Sequence, residues 1–125
     1  MEKVNITEAE WKVMKVLWDR SPLTLKEITS AIRENTSWKD NTIRTLIVRL
    51  MEKGVVEADK STGIYKYSPI IDEIDIVKTE AKSFLKRVFD GSLSSLVTTL
   101  VKDEEISKEE RQEIMDIISK MEERK

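Results

Sequence analysis

Within Asn41-Thr-Ile-Arg-Thr-Leu-Ile-Val-Arg-Leu50 the polar side chains are of the types that read a base pair. Asn can pair bidentately with adenine and Arg with guanine, while Thr hydrogen-bonds a base edge or a phosphate and touches the thymine methyl group. At roughly 100° per residue, with the apolar stripe centred on Ile43, Leu46, Ile47 and Leu50, the residues pointing away are Asn41, Thr45, Val48, Arg49 and Glu52. Thr42 and Arg44 flank them. A merely solvated helix face would carry more Glu and Lys and fewer Thr. Lys60 and Lys66 flank a hairpin tip where they would reach phosphate or the minor groove, although Lys at exposed strand ends also serves solubility. Trp38, just ahead of this helix, is either a core plug or an indole N–H offered to phosphate. Trp11 and Trp18 belong to an amphipathic stripe and are read as core.

Catalysis is disfavoured by what the chain lacks. It has no Cys and no His, so neither nucleophilic nor general-base chemistry has its usual groups at neutral pH, and structural zinc has no thiolate or imidazole ligands. Glycine occurs three times, at 54, 63 and 91, and no phosphate-cradling loop can be drawn from those positions. No catalytic residue, metal ligand or cofactor is therefore expected. No apolar run approaches the roughly 18 residues of a membrane span, and Met1-Glu-Lys-Val-Asn-Ile6 lacks a secretory h-region, so a cytoplasmic, non-membrane protein is expected.

The formal net charge is -2 but unevenly spread. Residues 1–70 hold 12 Lys/Arg against 10 Asp/Glu, and residues 71–125 hold 10 against 14. The local field over a contact surface matters more than the total, and this polarity suits a nucleic-acid partner for the first half.

Helices positioning these residues announce themselves by capping boxes. Thr7-Glu-Ala-Glu10 opens the first, with Trp11, Met14, Leu17 and Trp18 on its stripe until Ser21-Pro22. Thr24-Leu-Lys-Glu27 opens a short second helix carrying Leu25, Ile28, Ala31 and Ile32 and fading near Asn35. The third starts near Asp40, with Ser37 or Asp40 as alternative caps, and ends at Gly54. Val55–Lys60 and Ile64–Ser68 then read as a hairpin around Ser61-Thr-Gly63, closed by Pro69. Helix, helix, helix, hairpin is the winged helix-turn-helix order, whose third helix enters the major groove. The fold class is thus mainly α with a small β-hairpin: a winged-helix DNA-binding domain over 1–70, followed by a helical dimerisation domain over 71–125.

That second half carries three apolar stripes: Ile74, Val77, Ala81, Phe84, Leu85 and Val88; Leu93, Leu96, Val97, Leu100 and Val101; and Ile114, Ile117, Ile118 and Met121. Asp90-Gly91-Ser92 separates the first two, and Ser107-Lys-Glu-Glu110 caps the last. As a tail on a small domain these helices leave too much apolar surface uncovered, and a second copy of the chain would bury it. A two-fold homodimer then offers two reading helices to a palindromic duplex. Two other readings stay open: a winged helix used as a protein-interaction adaptor, and a repressor sensing a small ligand in its helical half.

Ile6-Thr-Glu-Ala-Glu-Trp-Lys-Val-Met14, Trp38, the Asn41–Leu50 segment, Glu52-Lys-Gly54, Tyr65-Lys-Tyr67 and Gly91-Ser-Leu-Ser-Ser-Leu-Val97 resemble the BlaI/MecI family of penicillinase and methicillin-resistance repressors. The resemblance spans nearly the whole chain. It implies a dimeric winged-helix repressor on palindromic operators of resistance genes, with Asn41, Thr42, Thr45 and Arg49 at DNA-contact positions. It also implies a sensor protease as partner, since in that family β-lactam sensing by a membrane metalloprotease system leads to cleavage in the dimerisation region. The family's Asn-Phe cleavage pair falls on Thr99-Leu100 here, so the location carries over and the sensitivity does not. A copper-responsive branch bears a C-terminal cysteine cluster, which this Cys-free chain cannot supply.

Overall fold

A computed structural model describes residues 4–102 and 106–123 of the chain. Its elements run α1 (Glu8–Asp19), β1 (Leu23–Thr24), α2 (Leu25–Arg33), α3 (Asp40–Glu52), β2 (Val56–Asp59), β3 (Lys66–Pro69), α4 (Glu73–Phe89), α5 (Leu93–Lys102) and α6 (Lys108–Glu123). They divide into two compact units, one ending at Thr79 and one beginning at Glu80.

In the first unit, α1 and α2 start from complete capping boxes. Thr7 accepts from Glu10 N–H at 3.2 Å while Glu10 accepts from Thr7 N–H at 2.8 Å, and Thr24 and Glu27 repeat the exchange at 3.2 and 2.9 Å. Two orphan donors are thereby satisfied at each helix start. Val13, Met14 and Leu17 of α1 meet Ile28 and Ile32 of α2, Ile43, Leu46, Ile47 and Leu50 of α3, and Val55 and Val56. Each such side chain taken from water stabilises the fold by about 1.5–3 kcal/mol before entropy is counted. Trp11 and Trp18 lie at the margin of this core, half-buried and with ring centroids 5.7 Å apart, and Trp18 Nε1 donates to Ile71 O at 3.0 Å.

The sheet has three antiparallel strands in the order β1-β3-β2, one more than the expected hairpin. Thr24 is the expected helix cap, and the extended backbone that a cap requires also pairs Leu23 with Tyr67 and Thr24 with Lys66. A strand of two residues shows no alternation from which to read it. Pro69 is the last residue of β3, opposite Val56, and beyond it Ile70 N–H bonds Val55 O at 2.8 Å. Ile76 is a second difference. It lies outside the expected α4 stripe yet is 4% exposed in the core, whereas stripe member Ile74 is 75% exposed. The first turn of α4 thus serves the N-terminal core, and Lys15 Nζ pairs with Glu73 at 2.8 Å beside it.

The second unit is built from the rest of α4 with α5 and α6. Asp90, at φ 52°, and Gly91, at φ 84°, end α4, and Gly91 N–H reaches back to Leu85 O at 3.0 Å. That return spans six positions, one more than the 6→1 bond of a Schellman ending, and the two left-handed residues turn the chain out of the helix. Ser92 Oγ then accepts Ser95 N–H at 3.1 Å to start α5, and Ser107 Oγ accepts Glu110 N–H at 3.1 Å to start α6. Among the described residues from 80 to 122, none is buried.

Candidate nucleic-acid interface

α3 is fastened at both ends. Its N-cap is Lys39, without a side-chain cap bond, so neither Ser37 nor Asp40 caps it as expected. Asp40 is the first helical residue instead, where its charge favours the positive end of the helix dipole and pairs with Arg33 Nη2 at 2.8 Å. Arg33 Nε also donates to Trp38 O at 3.2 Å, so one guanidinium ties the end of α2 to the turn and the start of α3. At the other end Lys53 Nζ donates to Glu10 Oε1 and, at 2.6 Å, to Asn5 O. Glu10 is fully buried with Oε2 unpartnered, and Lys53 is 30% exposed. Burial raises the Glu10 pKa, but the hydrogen bonds from Lys53 and Thr7 and the Lys53 charge outweigh it and hold the carboxyl below its ordinary value. Gly54, at φ 78°, then turns the chain toward β2.

The outward face between these anchors is open. Asn41, Thr42, Arg44, Thr45, Val48, Arg49 and Glu52 are all exposed, while Ile43, Leu46, Ile47 and Leu50 are buried beneath them. Thr45 Oγ1 donates to Asn41 O at 2.8 Å. Its proton is committed to its own helix, so Thr45 faces a ligand with an acceptor oxygen and a methyl group. Among the described residues the guanidinium groups of Arg44 and Arg49 enter no ion pair or hydrogen bond. Uncommitted cations on a helix face suit an anionic partner.

On the hairpin, Lys60 Nζ lies 5.1 Å from the Tyr65 ring centroid, which steadies it near the tip. Lys66 pairs in register with both Asp59 and Thr24, so it stands on the central strand where the wing leaves the sheet. The Asp59 carboxyl is held below its ordinary value by bonds from Ser61 and, to a lesser degree, by the Lys66 charge. Glu27 is lowered by its Thr24 bonds, with Lys66 and Arg20 assisting. Trp38 is half-buried against the core. The structure therefore brings Asn41, Thr42, Arg44, Thr45 and Arg49 onto one helix and sets Lys60 and Lys66 on the adjoining wing.

Between helix and wing runs a groove of about 750 Å³, lined by Thr24, Leu25, Lys26, Arg44, Val48, Ile64, Tyr65 and Tyr67. Val48, Ile64 and Tyr65 are exposed at 48%, 62% and 48%. Sequence reasoning placed Val48 on the outer face but missed the groove, because its walls come from segments distant in the chain. It also missed Arg33 and Lys53, whose partners lie in other elements.

The residues expected at a dimer interface are distributed as Ile74, Val77, Ala81, Phe84, Leu85 and Val88 on α4, Leu93, Leu96, Val97 and Leu100 on α5, and Ile114, Ile117 and Ile118 on α6. Leu85, Leu96, Val97 and Ile114 are half-buried and the others exposed. Thr99 and Leu100 are exposed in α5, with Thr99 Oγ1 donating to Ser95 O at 2.8 Å. Among the described residues no helix is long and apolar enough to cross a membrane.

Known proteins share this pattern. The penicillinase repressor of Staphylococcus aureus is 39% identical over 118 residues, covering 94% of each chain. The methicillin resistance regulatory protein MecI of S. aureus strain N315 is 35% identical over 116 residues, covering 93% of this chain and 94% of that one. Among solved structures, the monomeric form of Bacillus licheniformis BlaI in complex with the blaP half-operator superposes with a TM-score of 0.53 and 34% identity, over 59% of this chain and 90% of that one. With the penicillinase repressor family model matching residues 6–120 as well, the chain belongs to the penicillinase repressor family.

Proposed function

We propose that this chain is a transcriptional repressor that grips palindromic operator DNA as a homodimer and controls β-lactam resistance genes. The observation that carries the reading is the outward face of α3, where Asn41, Thr42, Arg44, Thr45 and Arg49 stand exposed above a fully packed inner face. α3 enters the major groove, and the wing bearing Lys60 and Lys66 follows the phosphate backbone alongside. The clamps at Arg33–Asp40 and Glu10–Lys53 hold α3 at a fixed angle, so little ordering entropy is lost on docking. What supports the operator as partner is the half-operator complex of the BlaI relative.

The exposed stripes of α4, α5 and α6 supply the dimer contact, which joins two weak half-site interactions into one tight one. Repression is the resting state. Cleavage by a sensor protease in the Thr99-Leu100 region would cut the dimer contact and release the promoter. Because those residues are helical, α5 has to open locally before a protease could take the strand.

The test is fluorescence anisotropy with promoter duplexes across a salt series, alongside sedimentation of the free protein. We expect dimers at micromolar concentration and binding that falls steeply as salt rises, because each phosphate contact releases a counterion. A monomer with no affinity for any duplex in dilute buffer overturns the proposal.

A further inference from the structure

We propose that Val48 is a specificity-determining residue that reads the 5-methyl group of one thymine in each operator half-site, an inference that rests on the DNA-binding reading above. Val48 is the apolar member of an otherwise polar outer face on α3 and is 48% exposed. A β-branched residue there gains nothing from helix propensity and keeps its methyls in water. It is one wall of the groove completed by Ile64, Tyr65 and Tyr67 from the wing, and Lys26 and Arg44 line the same groove. An apolar lining beside cations matches a polyanion that carries small apolar groups. Duplex DNA is such a ligand, and on its major-groove edges the apolar group is the thymine methyl.

The neighbouring Thr45 strengthens the assignment. Its hydroxyl proton is held by Asn41 O, so Thr45 has no donor of its own to offer a base edge. Contact with a methyl group asks for no donor. Arg44 and Arg49, on either side of Val48 in sequence, remain to grip guanine or phosphate.

The experiment needs no prior operator. Full-length protein selects duplexes from a random-sequence library, and each thymine of the recovered consensus is replaced in turn by uracil, which removes the methyl group alone. Binding is read by anisotropy for the native chain and for Val48→Ser, an exposed substitution whose folding is checked by its thermal transition. We expect one position per half-site where uracil weakens native binding about fourfold, the worth of burying one methyl-sized group. In Val48→Ser, thymine and uracil should bind equally there, with the salt dependence unchanged. The inference is overturned if no position depends on its methyl, or if the dependence survives in Val48→Ser, which would leave the groove to a protein or small ligand. Native chain that shows no salt-sensitive duplex binding overturns the DNA-binding reading itself and this inference with it, a result distinguishable from the other two.

Discussion

From Ile6 to Ile76 the chain places its buried side chains against one another, contributed by α1, α2, α3, β2 and the first turn of α4. From Glu80 to Glu122 three amphipathic helical segments leave Phe84, Val88, Leu93, Leu100, Ile117 and Ile118 between 39% and 62% exposed. Both regions show helical caps and apolar stripes of similar quality, so local pattern does not separate them. They differ in whether the stripes converge. Three helices and a sheet can enclose a core, whereas a stripe with no facing stripe keeps its hydration cost. The first region completes its own core, while the second leaves its apolar stripes exposed in the single chain.

The largest expected effect comes from breaking the second region. Replacing Ile117 and Ile118 together by Lys should convert dimers to monomers in sedimentation and lower operator affinity by about 100-fold or more, since bivalency is lost. The thermal transition of the N-terminal unit should barely move. A coincident loss of that transition would erase the proposed division of labour.

Next in size is the anchor in the first region. Lys53→Met strands the buried Glu10 carboxylate and should cost about 3 kcal/mol in chemical denaturation. It should also reduce operator binding, because the end of α3 is released. Arg49→Ala, by contrast, touches no clamp. It should weaken operator binding by about 1–3 kcal/mol without altering stability, and an unchanged titration would remove Arg49 from the interface.

The smallest effect is one of pH. The folded Glu10 pKa lies below its ordinary 4.5, so the ion pair contributes stability above that value and loses it as pH falls through the lower folded one. Glu10→Gln should therefore be less stable than the native chain near neutrality and show a flatter acid limb below about pH 4.5 in a denaturation series. Parallel acid limbs in the two proteins would mean that Glu10 carries no such coupling.

How much was legible follows from the range of the interactions. Helix starts at Thr7 and Thr24, the buried stripe of α3 and its exposed Asn, Thr and Arg residues are written in spacings of three and four, because capping and amphipathicity act within one or two turns. The Gly54 ending was legible for the same reason. The missing cap on α3 was not, since Asp40 answers to Arg33 on another helix and not to its own backbone.

Sequence alone therefore determined the order of the helices and of the wing, the caps of α1 and α2 and which face of α3 looks outward, all consequences of near-neighbour sterics and hydrogen bonding. Tertiary structure alone decided that Leu23-Thr24 joins a sheet, that Ile76 completes the core, that Glu10 serves as both cap and ion-pair partner, and that Val48 faces the wing across a groove. Glu10 and Lys53 are 43 residues apart, a separation at which no periodicity survives. Only the folding of the chain onto itself selects such pairs, by bringing a buried carboxylate to an ammonium that neutralises it.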